Sequence, residues 1–378
     1  MDQIKRQITK AIEERLFKEK AIVLYGPRRA GKTTLCKHIL AKHASSKYFL
    51  CDNPDVKEAL TDKTATELRN FIGNTNLVVL DEAQNILNIG TTLKLLVDTY
   101  PELQIIATGS SSFDLANHLV EPLTGRKYEF ELFPLSYQEI VAHNGELEAK
   151  RNLERMMIYG LYPDIYLSPQ ESAQELIEEI KSSYLFKDIL TYNEVKNSDA
   201  LTKLLQMLAL QIGSEVSYSE LSRSIGIDIK TVKRYIDLLE KIFVIKILPA
   251  LSRNMRTEIS KSRKIYFYDL GIRNALIRNF NPLEIRNDAG GLFENFCVME
   301  MLKNISNARK FANFYFWRTW QQQEVDFIVE ADGQMHAYEF KLNKIHTSMP
   351  KSFHDLYPKA SWKTIHRGNI NELLISRL

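Results

Sequence analysis

The sequence predicts an α/β fold built on a parallel β-sheet, and this prediction depends on three short apolar runs and the helical patterns between them. The runs are Ala21 to Tyr25, Leu77 to Leu80 and Leu103 to Ala107. Short, mainly apolar runs of this length are typical of strands buried on both faces of a parallel sheet. Helical patterns at Thr33 to Lys42 and Thr91 to Tyr100 alternate with the runs, which indicates βαβ units with helices on both faces.

Composition limits the number of domains and the class of partner. The chain has 378 residues, which predicts two or three folded units at roughly 150 residues per domain. A content of 44% hydrophobic and 26% charged residues is typical of globular proteins and excludes a disordered chain. Because 50 Lys and Arg nearly balance 47 Asp and Glu, the net charge is only +3. Any nucleic-acid site must therefore be a local basic patch.

The N-terminal segment, the hydropathy and the cysteines indicate a cytoplasmic protein with no membrane partner. Met1 to Lys20 is rich in charge and lacks the apolar core of a signal peptide. No unbroken apolar run reaches the roughly 18 residues needed to span a bilayer. The three cysteines, Cys36, Cys51 and Cys297, include no C-x-x-C pair, which argues against a disulfide framework and a zinc cluster.

Three further units are expected after the parallel-sheet domain. Residues from about Glu146 to Leu210 show helical, charge-rich amphipathic patterns, which predict an α-helical lid and linker. Between Val216 and Leu251, a short helix, a turn around Gly226, a second helix and a strand follow in the order of a winged helix-turn-helix. A helix from Leu292 to Asn304 and three strand patterns then predict an α+β unit. The expected boundaries are 1–143, 144–210, 211–275 and 276–378.

A phosphate-binding loop follows the first apolar run. Residues Gly26 to Thr33 match G-x-x-x-x-G-K-[ST] between a predicted strand and a predicted helix, which is the context that this motif requires. Backbone N–H groups and the helix N-terminus would face the phosphates, Lys32 would neutralise their charge, and the Thr33 hydroxyl would bind Mg²⁺. The expected nucleotide-binding residues are Gly26, Pro27, Arg28, Arg29, Ala30, Gly31, Lys32, Thr33 and Thr34.

Two adjacent carboxylates follow the second apolar run, at the end of the strand where α/β sheets bind ligands. Asp81 is expected to hold Mg²⁺, directly or through water. Glu82 is expected to orient and deprotonate the water that attacks the γ-phosphate. The motif and the carboxylates together predict a nucleoside triphosphate site, and the residues alone leave ATP and GTP both open.

Two further candidates are a hydroxyl group and an arginine. Thr108 or Ser110, at the end of the third apolar run, is expected to contact the γ-phosphate or the attacking water; the alternative is a turn or cap residue. Arg126 is expected to stabilise transition-state charge, within one subunit or across an interface. The alternative for Arg126 is an ordinary surface arginine.

Six stretches of the chain carry a family resemblance. They are Tyr25 to Thr34, Leu80 to Gln84, Thr108 to Ser111, Leu123 to Arg126, Phe133 to Ser136 and Tyr159 to Pro163. Together they resemble a bacterial and archaeal family of AAA+-type ATPases, in which the P-loop ATPase core and lid are followed by a winged helix and a restriction-endonuclease-like domain of unknown function. The resemblance implies ATP, Mg²⁺ and slow, switch-like hydrolysis.

A local excess of basic residues accompanies the predicted winged helix. Lys230, Lys233 and Arg234 lie on the second helix, where phosphate contacts with DNA are expected. From Lys241 to Lys264 the chain has seven basic residues and one acidic residue, and this stretch is expected to form a wing suited to phosphate contacts. The alternative is that this unit packs against a lid or another subunit. The seven basic residues are Lys241, Lys246, Arg253, Arg256, Lys261, Arg263 and Lys264.

The last predicted unit contains a pattern that resembles the PD-(D/E)-x-K nucleases. Its residues are Glu294 on a helix, Asp326 on one strand, and Glu339 with Lys341 on the next strand. Carboxylates so placed hold Mg²⁺ and activate water, while a lysine stabilises charge. The alternative is an inactive fold in which these side chains form ion pairs.

The sequence thus predicts an Mg²⁺-dependent ATPase that couples its nucleotide state to a C-terminal module acting on DNA. One alternative is a nucleotide-gated switch that binds a protein partner and carries an inactive nuclease-like domain. A second alternative is an active metal-dependent nuclease that ATP regulates. Each of these functions is compatible with an oligomer.

Overall fold

The structure is a computed structural model that describes residues 4–109, 123–182, 197–252, 262–345 and 347–374. Contacts between residues divide the chain into two compact units. The first contains residues 1–135 with 241–243, and the second contains residues 136–240 with 244–378. The finer division at residues 144, 211 and 276 stays a prediction. Among the described residues, no helix is both long and apolar enough to cross a membrane.

The first unit is built on a five-stranded sheet in which every pairing is parallel, so the predicted α/β fold is confirmed. The spatial order is β2-β3-β4-β1-β5. Because β4 lies between β1 and β3, the carboxyl ends of all three strands meet at one edge of the sheet. The strands are β1 Ala21–Tyr25, β2 Ser46–Leu50, β3 Leu77–Asp81, β4 Gln104–Gly109 and β5 Lys127–Glu131.

Helices pack on the sheet because apolar side chains recur at helical spacing along them. Ile12 of the first helix and Leu35 and Ile39 of the second pack with Leu24 and Val79 of the sheet, and all five side chains are buried. The helices of this unit are α1 Ile8–Glu13, α2 Lys32–Leu40, α3 Pro54–Leu60, α4 Ala65–Ile72 and α5 Ile89–Thr99.

The second unit begins with helices, as the sequence predicts. A tight turn follows the third of them, where a Cβ on Gly160 would lie 2.1 Å from Asp269 Oδ1. Asp269 also accepts a 2.7 Å hydrogen bond from the backbone N–H of Leu161, so only glycine fits this turn. The helices are α6 Tyr137–Asn144, α7 Glu146–Arg151, α8 Leu153–Tyr159, α9 Pro163–Tyr166, α10 Gln170–Ile180 and α11 Ser198–Leu210.

A helix-turn-helix and a hairpin follow in the order that the sequence predicts for a winged helix. Helix α12, Tyr218–Ile225, ends at Gly226, whose φ of 81° is the left-handed conformation that glycine adopts at helix C-termini. Helix α13 spans Ile229–Lys241. Strands β6, Ile245–Pro249, and β7, Arg263–Phe267, then pair in antiparallel fashion.

The C-terminal part of the second unit is a four-stranded sheet with two main helices. The strand order is β11-β10-β9-β8, with β10 and β11 parallel and the other pairs antiparallel. The strands are β8 Asn313–Arg318, β9 Glu324–Ala331, β10 Gln334–Lys341 and β11 Ser361–His366. The helices are α14 Leu270–Ile277, α15 Ala289–Asn307 and the short α16 Lys351–Leu356.

Candidate nucleotide site

The phosphate-binding loop runs from the end of β1 to the start of α2. A Cβ on Gly26 would lie 2.1 Å from the carbonyl oxygen of Leu132, so a residue with a side chain cannot begin the loop here. Gly31 adopts a φ of 96° immediately before α2, a backbone conformation that glycine adopts without steric cost. The two glycines of the motif therefore have structural causes that agree with the sequence prediction.

Lys32 lies inside this loop and is only 5% exposed. Its ammonium donates hydrogen bonds of 2.8 Å to the Gly26 carbonyl and 3.0 Å to the Pro27 carbonyl. Burial lowers the pKa of Lys32, and the nearby carboxylates of Glu82 and Asp81 partly oppose this shift. The lysine is thus a buried cation that loop carbonyls surround. It lies where phosphate oxygens are expected to bind.

Asp81 accepts hydrogen bonds from three hydroxyl groups. Thr33 Oγ1 lies 2.6 Å and the Tyr48 hydroxyl 2.5 Å from Asp81 Oδ2, and Thr108 Oγ1 donates to Asp81 Oδ1. The carboxylate is 2% exposed, so these contacts fix its orientation. A threonine hydroxyl beside a carboxylate is a set of hard oxygen ligands, and it fits Mg²⁺.

Glu82 follows Asp81 in the left-handed conformation, with a φ of 57°. Its backbone N–H donates a 3.1 Å hydrogen bond to Thr108 Oγ1, and Gln84 Nε2 lies 2.5 Å from Glu82 Oε2. Backbone strain of this kind persists where the surroundings enforce it, and it is common at functional sites. The turn therefore orients the carboxylate that the sequence predicts to be the general base.

Thr108 lies at the centre of this arrangement rather than at its surface. Its side chain is fully buried, and its hydroxyl donates to Asp81 while accepting from the Glu82 N–H. These contacts differ from the expected contact with phosphate or water, because they already occupy the hydroxyl group. We therefore assign Thr108 a positioning role for both carboxylates. Ser110, the other candidate, lies outside the described residues.

Replacing Thr108 by valine is expected to lower the rate of ATP hydrolysis by about tenfold. The change leaves the Glu82 N–H unsatisfied and removes one of the three hydrogen bonds to Asp81, a loss of roughly 1–3 kcal/mol. ATP affinity should change less than threefold, because Thr108 is not part of the phosphate loop. Thr91→Val, an exposed position on α5, is the matched control, and an unchanged rate for Thr108→Val would refute the positioning role.

Arg126 lies at the opposite edge of the sheet from the phosphate loop. Its carbonyl accepts a 2.9 Å hydrogen bond from the N–H of Ala21, the first residue of β1. The phosphate loop follows the last residue of β1, about 16 Å away at roughly 3.3 Å per residue. The Arg126 side chain forms a 2.5 Å ion pair with Asp98. Stabilisation of transition-state charge by Arg126 within the same subunit is therefore not favoured. Such a role across an interface stays a prediction.

Three residues near the loop were not predicted as site residues. Tyr48 reaches Asp81 from the neighbouring strand β2, Gln84 contacts Glu82, and Arg6 donates hydrogen bonds of 2.7 Å to the Ala30 carbonyl and 2.6 Å to the Phe133 carbonyl. Gln84 could have been found from its place two residues after Glu82. The contacts of Tyr48 and Arg6 depend on the pairing of β2 with β3 and on the path of the N-terminal segment. Neither of these features produces a local signal in the sequence.

The predicted nuclease residues lie together in the second unit. Glu294 is on α15, Asp326 on β9, and Glu339 with Lys341 on β10. Lys341 Nζ lies 2.6 Å from Glu339 Oε1, and Asp326 Oδ2 accepts a 2.8 Å hydrogen bond from the N–H of Phe340. A further carboxylate at the start of β9 completes what we call the acidic cluster, which consists of Glu294, Glu324, Asp326 and Glu339.

The acidic cluster does not fit a metal ion. Over the parts of the chain that the structure describes, no three His, Cys, Asp or Glu side chains converge as a metal site requires. Instead, Lys264 of β7 places its ammonium 2.8 Å from Glu294 Oε1 and 2.5 Å from Glu324 Oε1. These contacts favour the alternative of internal ion pairs, and no local sequence signal links Lys264 to this cluster.

The predicted DNA-contact residues Lys230, Lys233 and Arg234 are all exposed on α13. At spacings of three and four residues they share one face of the helix. This face is therefore accessible to a polyanion.

Much of the basic stretch after α13 is occupied by internal contacts, contrary to the expectation of a phosphate-binding wing. Lys264 is 1% exposed, and the Arg263 guanidinium lies over the Tyr218 ring at 4.0 Å. Lys246 Nζ lies 2.9 Å from Glu240 Oε1. Part of this local excess of basic side chains therefore forms contacts within the protein. Arg253, Arg256 and Lys261 lie outside the described residues.

Comparisons with known proteins agree with the geometry of the first unit. Residues 18–141 match the family described as AAA domain, and residues 150–283 and 289–372 match two domains of unknown function, DUF8612 and DUF4143. A Walker-type ATPase of Pyrococcus abyssi shares 16% identity and superposes with a TM-score of 0.50 over 73% of this chain and 96% of its own, a likeness in fold alone.

Two relatives extend the similarity along most of the chain. An uncharacterized protein of Mycobacterium tuberculosis is 28% identical over 340 residues, which cover 89% of this chain and 74% of the relative. An uncharacterized protein of Methanocaldococcus jannaschii is 30% identical over 316 residues, which cover 73% of this chain and 66% of the relative. With the phosphate loop, the parallel sheet and the AAA-domain match, residues 18–141 form a P-loop ATPase domain of the AAA type.

Proposed function

We propose that this protein binds ATP with Mg²⁺ and hydrolyses it. The single observation that carries the proposal is the contact of Thr33 with Asp81, 2.6 Å between hydroxyl and carboxylate. It joins the end of the phosphate loop to the strand with the acidic pair, across the intervening strand β4. Two motifs that are far apart in sequence thereby form one site.

Each residue of the site has a distinct part in the proposed reaction. The loop N–H groups and Lys32 bind the β- and γ-phosphates. Thr33 and Asp81 would hold Mg²⁺, which neutralises charge on the phosphate oxygens when it is bound. Glu82 accepts a proton from a water molecule aligned for in-line attack on the γ-phosphate. Thr108 holds the carboxylates of Asp81 and Glu82 in position.

Calorimetric titration of purified protein with ATP and with GTP, each with and without Mg²⁺, tests the nucleotide assignment. We expect saturable binding that Mg²⁺ strengthens and that favours ATP. The preference for ATP derives from the family resemblance, so equal affinity for GTP would revise the base specificity. Absence of binding to either nucleotide at millimolar concentration would refute the proposal.

A second proposed function is contact with DNA through helix α13, under the control of the nucleotide. The exposed face of Lys230, Lys233 and Arg234 supports it, because cationic side chains that reach solvent can bind phosphate oxygens. The alternative is a protein partner on the same face. A difference in DNA affinity between the ATP-bound and nucleotide-free protein would support the coupling.

Neutralising Lys233 and Arg234 together is expected to weaken DNA binding and to change its salt dependence. Each lost phosphate contact reduces the slope of log affinity against log salt by about 0.9, so the slope should fall by roughly 2. Fluorescence anisotropy with labelled duplex DNA measures this effect. Lys351→Ala with Lys359→Ala, two exposed lysines elsewhere in the unit, is the matched control. Equal slopes for all three proteins would favour a protein partner.

A further inference from the structure

The ammonium of Lys264 lies among three of the four carboxylates of the acidic cluster. It is 2.8 Å from Glu294 Oε1, 2.5 Å from Glu324 Oε1 and 4.0 Å from Asp326 Oδ1. The side chain is 1% exposed. Burial alone would lower the pKa of Lys264, but these carboxylates together raise it, so the group is a fixed cation.

The carboxylate oxygens around Lys264 already accept hydrogen bonds from other donors. The Tyr266 hydroxyl, two residues along β7 and so on the same face of the strand, lies 2.7 Å from Glu294 Oε1. Asp326 Oδ2 accepts from the Phe340 N–H. These donors fix the orientation of the Glu294 and Asp326 carboxylates around the Lys264 ammonium.

Lys264 is the main counter-charge for the buried part of the acidic cluster. Lys341 pairs with Glu339, and the Arg318 guanidinium lies nearer to Glu215, at 3.2 Å, than to Glu324, at 3.8 Å. A buried carboxylate that loses its cation is costly, so Glu294 depends on Lys264 for its opposite charge.

The backbone of Lys264 cannot move to carry the side chain out of the cluster, because β7 is anchored on both sides of this residue. Lys264 pairs with Leu248 in the hairpin of β6 and β7. Asn295 of α15 donates to the Phe267 carbonyl at 2.9 Å and accepts from the Phe267 N–H at 2.8 Å. The hairpin and α15 thus hold the lysine in place.

We propose that Lys264 is the resident cation of the acidic cluster and excludes divalent metal ions from it. The C-terminal domain then retains the residue pattern of a metal-dependent nuclease without the metal. Its carboxylates instead fasten the hairpin of β6 and β7 to the C-terminal sheet.

Counting the Mn²⁺ ions bound to nucleotide-free protein by electron paramagnetic resonance tests the proposal. Wild type and Asp326→Asn should bind the same number, because the cluster holds no metal in either protein. Lys264→Met should bind one more, and Lys264→Met combined with Asp326→Asn should lose it again. A site present in wild type and absent in Asp326→Asn would overturn the proposal, as would a folded Lys264→Met variant with no additional site.

A second measurement on wild type alone decides the question if Lys264→Met does not fold. Acetylation by an N-hydroxysuccinimide ester, read by peptide mass spectrometry, should spare Lys264 and modify the exposed Lys351. We expect millimolar Mn²⁺ to leave this pattern unchanged. Labelling of Lys264 that increases with Mn²⁺ would show that metal displaces the lysine, and would refute the proposal.

Discussion

Replacing Glu82 by glutamine is expected to reduce the rate of ATP hydrolysis by roughly 10²–10⁴-fold, the usual contribution of a positioned general base. The amide keeps the shape of the side chain and its contact with Gln84, which lies 2.5 Å from Glu82 Oε2, but it cannot take a proton from water. ATP affinity should therefore stay within a few fold of wild type. Phosphate release under saturating ATP measures the rate, and calorimetry measures the affinity.

The control for this change is Glu58→Gln, which removes an equal charge from an exposed position on α3. Its rate should match that of wild type. A Glu82→Gln variant that hydrolyses ATP within threefold of wild type would assign the base to another group and would refute this part of the mechanism.

Replacing Lys32 by alanine is expected to weaken ATP binding by about 100-fold or more. The ammonium would make at least two charge-assisted hydrogen bonds to phosphate oxygens, each contributing roughly 1.5–3 kcal/mol, and about 1.4 kcal/mol corresponds to tenfold in affinity. In the structure the group already donates to the carbonyls of Gly26 and Pro27. Titration with ATP in the presence of Mg²⁺ gives the dissociation constant.

Circular dichroism must accompany the Lys32→Ala measurement, since the side chain is buried and the loop loses two hydrogen bonds. Lys94→Ala, an exposed lysine on α5, serves as the matched control and should bind like wild type. A folded Lys32→Ala protein with wild-type affinity for ATP would contradict the assignment of the phosphate loop.

The candidate nucleotide site could be predicted from the sequence because its signals are local. The run Ala21 to Tyr25 predicts a buried strand, and the glycines after it have backbone requirements that any such loop must meet. The carboxylates at Asp81 and Glu82 follow a second apolar run in the same way. Local pattern and tertiary structure agree here, as they must where a loop is defined by the strand and helix beside it.

Sequence reasoning could not place residues whose position depends on strand pairing. Arg126 lies beside the start of β1 because β5 pairs with β1 in parallel from Ala21 onward, and nothing near Arg126 in sequence reveals that register. Tyr48 reaches Asp81 through the pairing of β2 with β3. Contacts of this kind depend on the topology of the whole sheet rather than on its separate strands.

Lys264 shows the same limit most clearly. In sequence it belongs to a basic stretch that predicts an exposed wing, whereas in the structure its side chain is among the most buried of the charged residues. Net local charge does not distinguish a lysine that faces solvent from one that pairs with carboxylates more than 25 residues away. The distinction requires the positions of α15 and β9.

We propose that Lys32, Thr33, Asp81 and Glu82 form one site for the hydrolysis of Mg·ATP. The most direct test is phosphate release from ATP by purified wild type with Mg²⁺, with EDTA in place of Mg²⁺, and by Glu82→Gln with Mg²⁺. We expect release by wild type that requires Mg²⁺ and is lost in Glu82→Gln. Equal release by the two proteins, or release that persists in EDTA, would contradict it.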